Sequence, residues 1–319
     1  MTTIPRELTI RPLHGTEEVE LFNRLPFVLN PEIAADLGEG RRRTDWMWVA
    51  LDDDRLLARL SFWRRGPKDT VPFLLDVLDV DDTAEDLDRV AVLAQLLRAA
   101  CDQVLDPDGS WPEYLRFVDA GWREHTGLRR AVEERMEAVS RMGGVPFVER
   151  LRYAWRAAKA PVPSVSGRLR FRGIRDEEEI LGLMVRALEG TLDGHDRADL
   201  AGTGPKQVAR DNFDDEFARY STPRSWWRVA TLEDGEPVGF VLPARNAKHP
   251  IIGYIAVLPE HRGRGYIDDL LAEGTRVLTE EGGESRVHAA TDLGNVPMAR
   301  AFDRAGYTTL SGVVTMVWR

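Results

Sequence analysis

The feature that most constrains the fold is an order of sequence patterns that occurs twice along the chain. Alternating, strand-like residues at Leu8–Leu13 lead into an acidic helix start, and Leu169–Ile174 does the same. Tryptophan-led hairpin patterns follow at Trp46–Trp63 and Trp226–Leu242. The shared order predicts a structural duplication, although the alternative is that any two α/β halves align this loosely.

A proline-rich segment separates the two halves. Residues 161–167 contain Pro161 and Pro163 together with serines and a glycine, which is typical of a linker. We therefore predict a first domain at 1–160, a linker at 161–167 and a second domain at 168–319. Each half has the length of an ordinary domain.

Composition excludes several classes of protein. The net charge of -10, from 43 basic and 53 acidic residues, argues against a general nucleic-acid binder. The single cysteine, Cys101, allows no internal disulfide, and we interpret it as a core residue. The histidines lack metal-ligand spacing, so we predict no metal. No leader-like pattern begins the chain and no apolar run approaches about 20 residues, so we expect a cytoplasmic protein without a membrane span.

The most informative segment is Tyr254–Leu271, where an apolar strand stops at Pro259 and a helical pattern begins after a glycine turn. A helix start offers unpaired N–H groups and a positive dipole end, which together bind anions. Gly263 and Gly265 allow close approach and positive φ angles. Arg262 and Arg264 are expected to add charge-assisted hydrogen bonds to phosphate oxygens.

These residues resemble the acyl-CoA segment of the GNAT N-acetyltransferase family. Its Arg/Gln-x-x-Gly-x-Gly/Ala hallmark matches Arg262–Ile267, and its second motif matches Asn295–Tyr307 in the same order. The resemblance covers 168–319 well and the first half only in outline. It implies an α/β (α+β) fold of two tandem GNAT-like domains, each with a mixed, mostly antiparallel sheet flanked by helices.

The resemblance also implies acetyl-CoA as cofactor. The backbone of Val257 and its neighbours would lie along the pantetheine, with one N–H polarising the thioester carbonyl. The amides of Gly263–Ile267 would hold the pyrophosphate, and Asn295 would contact the cofactor or hold its loop. The expected cofactor-binding residues are Ala256, Val257, Arg262, Gly263, Arg264, Gly265, Tyr266, Ile267, Asn295 and Phe302.

Three departures from the family pattern stand out. Ile267 replaces a small residue and is expected to crowd the phosphates. Asp268 and Asp269 would repel a pyrophosphate. Phe302 stands where many members have a tyrosine that protonates the leaving thiolate.

The catalytic groups are less defined. The fourth strand of the second half, Ile251–Ala256, holds no carboxylate, although the family often has a glutamate there. Asp292 and Tyr254 are the predicted catalytic candidates. Asp292 has the alternative of capping the next helix, and Tyr254 that of a half-buried strand aromatic. His249 is a further candidate, with a loop position as its alternative.

The acceptor site is expected opposite the cofactor, where the acidic loop Glu189–Asp196 would recognise a cationic amine or simply be solvated. The first half has aspartates at Asp76–Asp88 in place of a glycine turn, so we predict no cofactor there. The chain is thus expected to be an acyltransferase (EC 2.3.1.-) that moves acetyl from acetyl-CoA to a small-molecule amine in a ternary complex. The alternative is a weak or inactive acyl-CoA-binding or scaffold protein, and assembly as a homodimer is left open.

Overall fold

A computed structural model of the chain describes residues 8–246 and 248–318. The start of the N-terminal stretch considered for a leader, residues 1–7, lies outside them. Two compact units are present, Met1–Glu149 with Gly312–Arg319, and Arg150–Ser311. The segment predicted as a linker, 161–167, lies within the second unit by this division.

The first half supplies six strands and four helices among its described residues. The strands are β1 Thr9–Pro12, β2 Met47–Asp52, β3 Arg55–Trp63, β4 Leu74–Val80, β5 Glu113–Val118 and β6 Gly144–Arg156. The helices are α1 Val19–Phe22, α2 Asn30–Gly38, α3 Arg89–Val104 and α4 Thr126–Ser140. Cys101 lies on α3 and is buried in the core, where burial raises the pKa of its thiol to about 12.

The second half supplies six further strands and five helices among the described residues. The strands are β7 Arg170–Gly173, β8 Arg228–Thr231, β9 Pro237–Arg245, β10 Pro250–Val257, β11 Arg286–Asp292 and β12 Thr308–Trp318. The helices are α5 Glu177–Ala187, α6 Gly194–Gly202, α7 Pro205–Asp215, α8 Tyr266–Arg276 and α9 Val296–Arg304.

Each unit contains the same pattern of strand pairing. The order is β1-β2-β3-β4-β5 with the end of β12 in the first unit, and β7-β8-β9-β10-β11 with the end of β6 in the second. In each, the fourth and fifth strands are parallel and the other neighbours are antiparallel. The predicted fold class, mixed and mostly antiparallel sheets flanked by helices, is therefore confirmed.

Helices cover both faces of the second unit's sheet. Leu270 and Leu271 of α8 and Phe302 of α9 pack with Val287 and Ala289 of β11, on what we call the α8 face. The opposite face, the α5 face, is covered on β8–β10 by apolar residues of α5 and α7. Because side chains alternate along a strand, residues 286, 288, 290 and 292 of β11 lie on the α5 face.

Candidate active site

A cleft opens between β10 and β11. Ile251 pairs with His288, and this is the one parallel pair that the two strands form within the described residues. A bulge between Ile252 and Tyr254 interrupts β10, which then stays paired with β9 through Val257. The parallel strands therefore splay apart, and backbone groups of β10 face an open space.

Val257 presents its amide to this cleft. The amide of Leu258 donates to the carbonyl of Val238 on β9 at 2.8 Å, so Leu258 faces β9. Successive residues of a strand turn their backbone groups to opposite sides, so Val257 and Ile255 face the cleft and Ala256 faces β9. Of the two β10 residues predicted to contact the cofactor, Val257 thus has the amide suitably directed.

A turn with three free amides follows β10. Gly263 and Gly265 have φ angles of 77° and 75°, which only glycine adopts readily, and Gly265 precedes α8. Among the described residues, nothing accepts a hydrogen bond from the amides of Gly263, Arg264 or Gly265. A side chain at Gly263 would meet no atom within 4 Å. The turn is therefore an open cradle whose donors and helix dipole suit a pyrophosphate.

The two arginines of the turn have different surroundings. Arg262 donates to the carbonyls of Val257 at 3.0 Å, Glu189 at 2.6 Å and Ala187 at 2.8 Å. This guanidinium holds the end of α5 against the turn, a role different from the predicted contact with phosphate. Arg264 is exposed, and no described residue accepts a hydrogen bond from its side chain.

Both aspartates after the turn are paired with arginines. Asp268 pairs with Arg304 at 2.6 Å, and Asp269 pairs with Arg168 at 2.9 Å. Asp269 is 3% exposed and also accepts from the amide and hydroxyl of Ser166. The repulsion expected from these carboxylates is therefore offset by neighbouring positive charge.

Arg168 is a site residue that sequence reasoning missed. Its guanidinium donates to the carbonyl of Arg264 at 3.0 Å and lies over the ring of Tyr266, 5.0 Å from the centroid. Ile267 packs partly buried against the α8-face core. The isoleucine predicted to crowd the phosphates is thus directed into the protein.

Asp292 holds the loop that leads into α6. Its carboxylate accepts from Nε of Arg150 at 2.7 Å and from the amide of Gly194 at 2.6 Å. The next helix, α9, is capped instead by Asn295, whose side chain accepts from Met298. Asp292 thus neither caps that helix nor stands free of partners, and its predicted catalytic role stays a prediction.

Tyr254 lies on the α5 face of β10, stacked against Phe217 with ring centroids 5.4 Å apart. Burial and the nearby charges of Asp196 and Asp193 raise the pKa of its phenol well above the ordinary value. Tyr254 therefore remains protonated at neutral pH. Tyr254 packs as the strand aromatic of one interpretation and carries the protonated hydroxyl that the other, catalytic interpretation requires. Its predicted catalytic role stays a prediction.

Asp196 is the carboxylate that the structure brings forward from the acidic loop. It is 8% exposed and accepts hydrogen bonds from Asn212 at 3.0 Å and Thr191 at 3.3 Å. Burial, followed by the charge of Asp193, raises the pKa of Asp196 to about 6. Asp193 itself caps α6 and pairs with Arg150 at 2.7 Å. A carboxylate with a pKa near neutrality, close to Tyr254, is suited to proton transfer.

Comparisons with known proteins place this geometry in a family. Residues 196–307 match the profile of the acetyltransferase (GNAT) family. They are a GNAT acetyltransferase domain. No curated protein sequence matches the chain.

Solved GNAT structures resemble the whole chain in fold. A GCN5-related N-acetyltransferase from Sphaerobacter thermophilus has a TM-score of 0.59 at 16% identity, covering 98% of this chain and 96% of that one. A tandem GNAT protein from the clavulanic acid biosynthesis pathway has a TM-score of 0.51 at 17% identity, with 97% and 98% covered. A GCN5-related N-acetyltransferase from Kribbella flavida has a TM-score of 0.50 at 14% identity, with 95% and 96% covered.

The second GNAT motif, on α9, serves the core of this domain. Asn295 caps the helix, which accords with a role in holding the loop. Phe302 is 1% exposed and stacks on Tyr153, with ring centroids 4.8 Å apart. The phenyl ring carries no acidic proton, so Phe302 cannot act as a proton donor.

The GNAT-like cleft of the first unit is filled. β4 and β5 form two parallel pairs within the described residues and then diverge. Arg116 of β5 donates to the carbonyl of Leu78 at 3.2 Å and to the carboxylate of Asp79 at 2.9 Å. Arg135 of α4 donates to the carbonyl of Val80 at 3.2 Å. Two guanidinium groups thus donate hydrogen bonds to carbonyls of β4 where β4 and β5 diverge.

Protein groups also bond to the start of α3. The side chain of Asp88 caps this helix by accepting from the amide of Ala91 at 3.0 Å. Asp82, within the predicted acidic segment, pairs with Arg135 at 2.8 Å. The prediction of no cofactor in the first half stays a prediction, and these contacts favour it together with the acidic charge.

Among the described residues, one group could bring three metal-binding side chains together, namely Glu236, Glu260 and His261. Arg186 already pairs with Glu260, and His261 contacts Glu236 at 3.1 Å. The prediction of no metal stays a prediction. No helix of the described chain has the length and apolar character needed to cross a bilayer.

Proposed function

We propose that the second unit binds acetyl-CoA and transfers its acetyl group to the amine of a small molecule. The observation that carries this proposal is the glycine turn with three unbonded amides at the mouth of the splayed β10–β11 cleft. The tandem GNAT protein from the clavulanic acid pathway is described as solved without AcCoA, which supports the same cofactor here.

The residues present fit this cofactor. The amides of Gly263–Gly265 and the N-terminus of α8 would hold the pyrophosphate, with Arg264 adding a charge-assisted contact. When bound, acetyl-CoA supplies a thioester whose carbonyl carbon is open to attack by an amine. The amide of Val257 is the donor available to a negative charge that develops on an oxygen in the cleft.

Proton movements are assigned to two residues of the α5 face. Asp196 is the proposed base for the acceptor ammonium, directly or through water, because its pKa of about 6 lets it accept a proton near neutral pH. Tyr254, which stays protonated, is the proposed proton donor. Asp292 is assigned a positioning role, since it holds Gly194 at the start of α6.

The cofactor site is tested by Gly265→Glu and acetyl-CoA titration calorimetry. A glutamate there would place a negative charge in the cradle and strain a backbone with φ of 75°. We expect no measurable binding by the variant and saturable binding by the natural protein. The thiol released with a panel of small amines is then measured for the natural protein.

Gly235→Glu is the matched control, since Gly235 has a φ of 90° and open space around it in the β8–β9 hairpin. It carries the same charge and the same backbone strain away from the turn. Equal acetyl-CoA affinity of both variants would refute the proposed cradle. Binding without turnover of any amine would refute the transfer reaction while leaving the cofactor site intact.

A further inference from the structure

A group of positively charged and histidine side chains lies on the α5 face of β6 and β11. Arg286 pairs in register with Arg156, and Ala290 pairs with Arg152. His288 lies between them on the same face, because Val287 and Ala289 point to the α8 face. The ring of His249, just before β10, stacks on His288 with centroids 4.2 Å apart. We call Arg152, Arg156, His249, Arg286 and His288 the cationic cluster.

Several polar atoms of the cluster are buried without a partner. Nε2 of His288 has no hydrogen-bond partner among the described residues, and this histidine is 7% exposed. The same holds for the buried Nε atoms of Arg156 and Arg286. A buried polar atom left unpaired costs on the order of 1–3 kcal/mol, so a ligand that hydrogen-bonded to these atoms would be stabilising.

Two arginines of the cluster have no acidic partner among the described residues. Within the described chain, no carboxylate forms an ion pair with Arg156 or Arg286, whereas the nearby Arg245 pairs with Glu284 and Arg150 pairs with Asp292. Burial and the neighbouring positive groups lower the pKa of Arg286 and lower that of His288 to about 3. An anion placed here would relieve repulsion and satisfy donors together.

The cluster lies on the same sheet face as the proposed reaction centre. Ala290, between His288 and Asp292 on β11, is exposed, so the face is open to solvent there. At about 3.3 Å per residue, His288 and Asp292 are separated by roughly 13 Å along the strand. Asp193 lies toward the cleft end of β11, where Arg150 pairs with both Asp193 and Asp292, and Asp196 lies near it. The residues of the cationic cluster lie toward the other end of the strand. This polarity matches a molecule with an amine at one end and an anion at the other.

We propose that the cationic cluster binds an anionic group, phosphate or carboxylate, carried by the acceptor amine. The assignment of the anion to the acceptor rests on the proposed acetyl transfer. The anion site itself does not depend on that reaction. The acceptor class is then an amine that bears a phosphate or carboxylate at up to roughly the 13 Å that separates His288 from Asp292.

The anion site is tested first by titration of inorganic phosphate into the full chain at constant ionic strength. Arg286→Gln removes one guanidinium and is expected to weaken phosphate binding about tenfold or more. The variant should fold, because the change removes like-charge repulsion. Arg245→Gln, with the same loss of charge from a residue already paired with Glu284, is the control and should bind as the natural protein does.

Gly265→Glu separates this site from the glycine turn, which also suits phosphate. Phosphate binding at the cluster should persist in Gly265→Glu and be weakened about tenfold or more in Arg286→Gln. The anion site is overturned if the natural protein binds no phosphate, or if Arg286→Gln and Arg245→Gln bind it equally.

Matched amine pairs decide whether the anion belongs to the acceptor. Phosphoethanolamine against ethanolamine, and α,ω-amino acids from β-alanine to 8-aminooctanoate against the matching alkylamines, are compared by kcat/KM with acetyl-CoA. We expect the anionic member of at least one pair to be preferred about tenfold, and this preference to disappear in Arg286→Gln but not in Arg245→Gln. Phosphate binding without any such preference would overturn the assignment to the acceptor and indicate a free anion. Absence of turnover for every amine would instead count against the proposed function, and the phosphate titration would still decide the anion site.

Discussion

At the scale of single residues, Asp196 shows how burial prepares a side chain for chemistry. Its carboxylate is enclosed beside Asp193 and, among the described residues, accepts two hydrogen bonds from neutral groups, at 3.0 and 3.3 Å. The ionised form is therefore disfavoured, and the pKa rises to about 6. Such a group costs stability at neutral pH, which makes a purely structural role a poor explanation for it.

Asp196→Asn is expected to lower kcat/KM about 100-fold or more, because a positioned base contributes typically 10²–10⁴ in rate. In the natural protein, kcat/KM should fall about tenfold per pH unit below pH 6, where the base becomes protonated. This acidic limb should be absent in the variant. The measurement is thiol release across pH 5–9, with Asp199→Asn on the same helix as the control for loss of charge.

The same variant is expected to be more stable than the natural protein at pH 8. The folded pKa of about 6 exceeds the ordinary value of 3.8, so ionisation opposes folding as pH rises from about 4 to 6, and the full cost applies above 6. The shift corresponds to an upper value of about 3 kcal/mol. Urea unfolding should show a gain of about 1–3 kcal/mol at pH 8 that disappears below about pH 4. A less stable variant at pH 8 would contradict the assigned pKa.

At the scale of elements, the start of α8 is held by charge pairs between residues distant in sequence. Asp269 reaches back to Ser166 and Arg168, which precede β7, and Arg168 contacts carbonyls of the turn. The strand Arg170–Gly173 and the glycine turn are thereby tied together. The pairs fix the turn without using its free amides.

Asp269→Ala should therefore destabilise the protein by about 2–4 kcal/mol, because it leaves Arg168 and the Ser166 amide without their acceptor. Acetyl-CoA binding should weaken as well, since the turn loses its brace. Asp268→Ala, which breaks the more exposed pair with Arg304, should cost under about 1 kcal/mol. Urea unfolding of the two variants checks the order, and equal losses would contradict it.

At this scale, the sequence could predict the features that neighbouring residues determine, but not the contacts between residues distant in sequence. Gly263 and Gly265 dictate a turn through their own φ preferences, and the apolar spacing of Leu270 and Leu271 dictates which side of α8 is buried. Their helix and strand were predictable for that reason. The partners of Asp269 in Ser166 and Arg168, and those of Arg262 in Ala187 and Glu189, lie about 70 to 100 residues away. No local pattern indicates such partners, so the charges were interpreted from their sequence neighbours alone. The burial that raises the pKa of Asp196 likewise arises only once α6 and α7 pack.

At the scale of the whole molecule, the two halves exchange their last strands. The end of β12, from the second half, pairs with β5 of the first unit at Gly312–Met316. The end of β6, from the first half, pairs with β11 of the second unit along Arg150–Arg156. Sequence analysis places the domain boundary at 161–167 because the composition changes there. Strand pairing is a non-local property, so composition carries no sign of the exchange.

Because of this exchange, we expect the choice of fragment boundaries to decide whether the second unit folds alone. The fragment 168–319 lacks Tyr153 and Trp155, which are 2% and 1% exposed in the α8-face core. Losing a buried aromatic costs about 3–5 kcal/mol, and two such losses approach the 5–15 kcal/mol that stabilises a typical domain. The fragment 150–311 keeps both residues together with the pairing of β6 on β11. It should unfold cooperatively in urea with a near-UV signal from its aromatic residues, while 168–319 should show neither. Cooperative unfolding of 168–319 at a similar midpoint would show that the exchanged strand is dispensable.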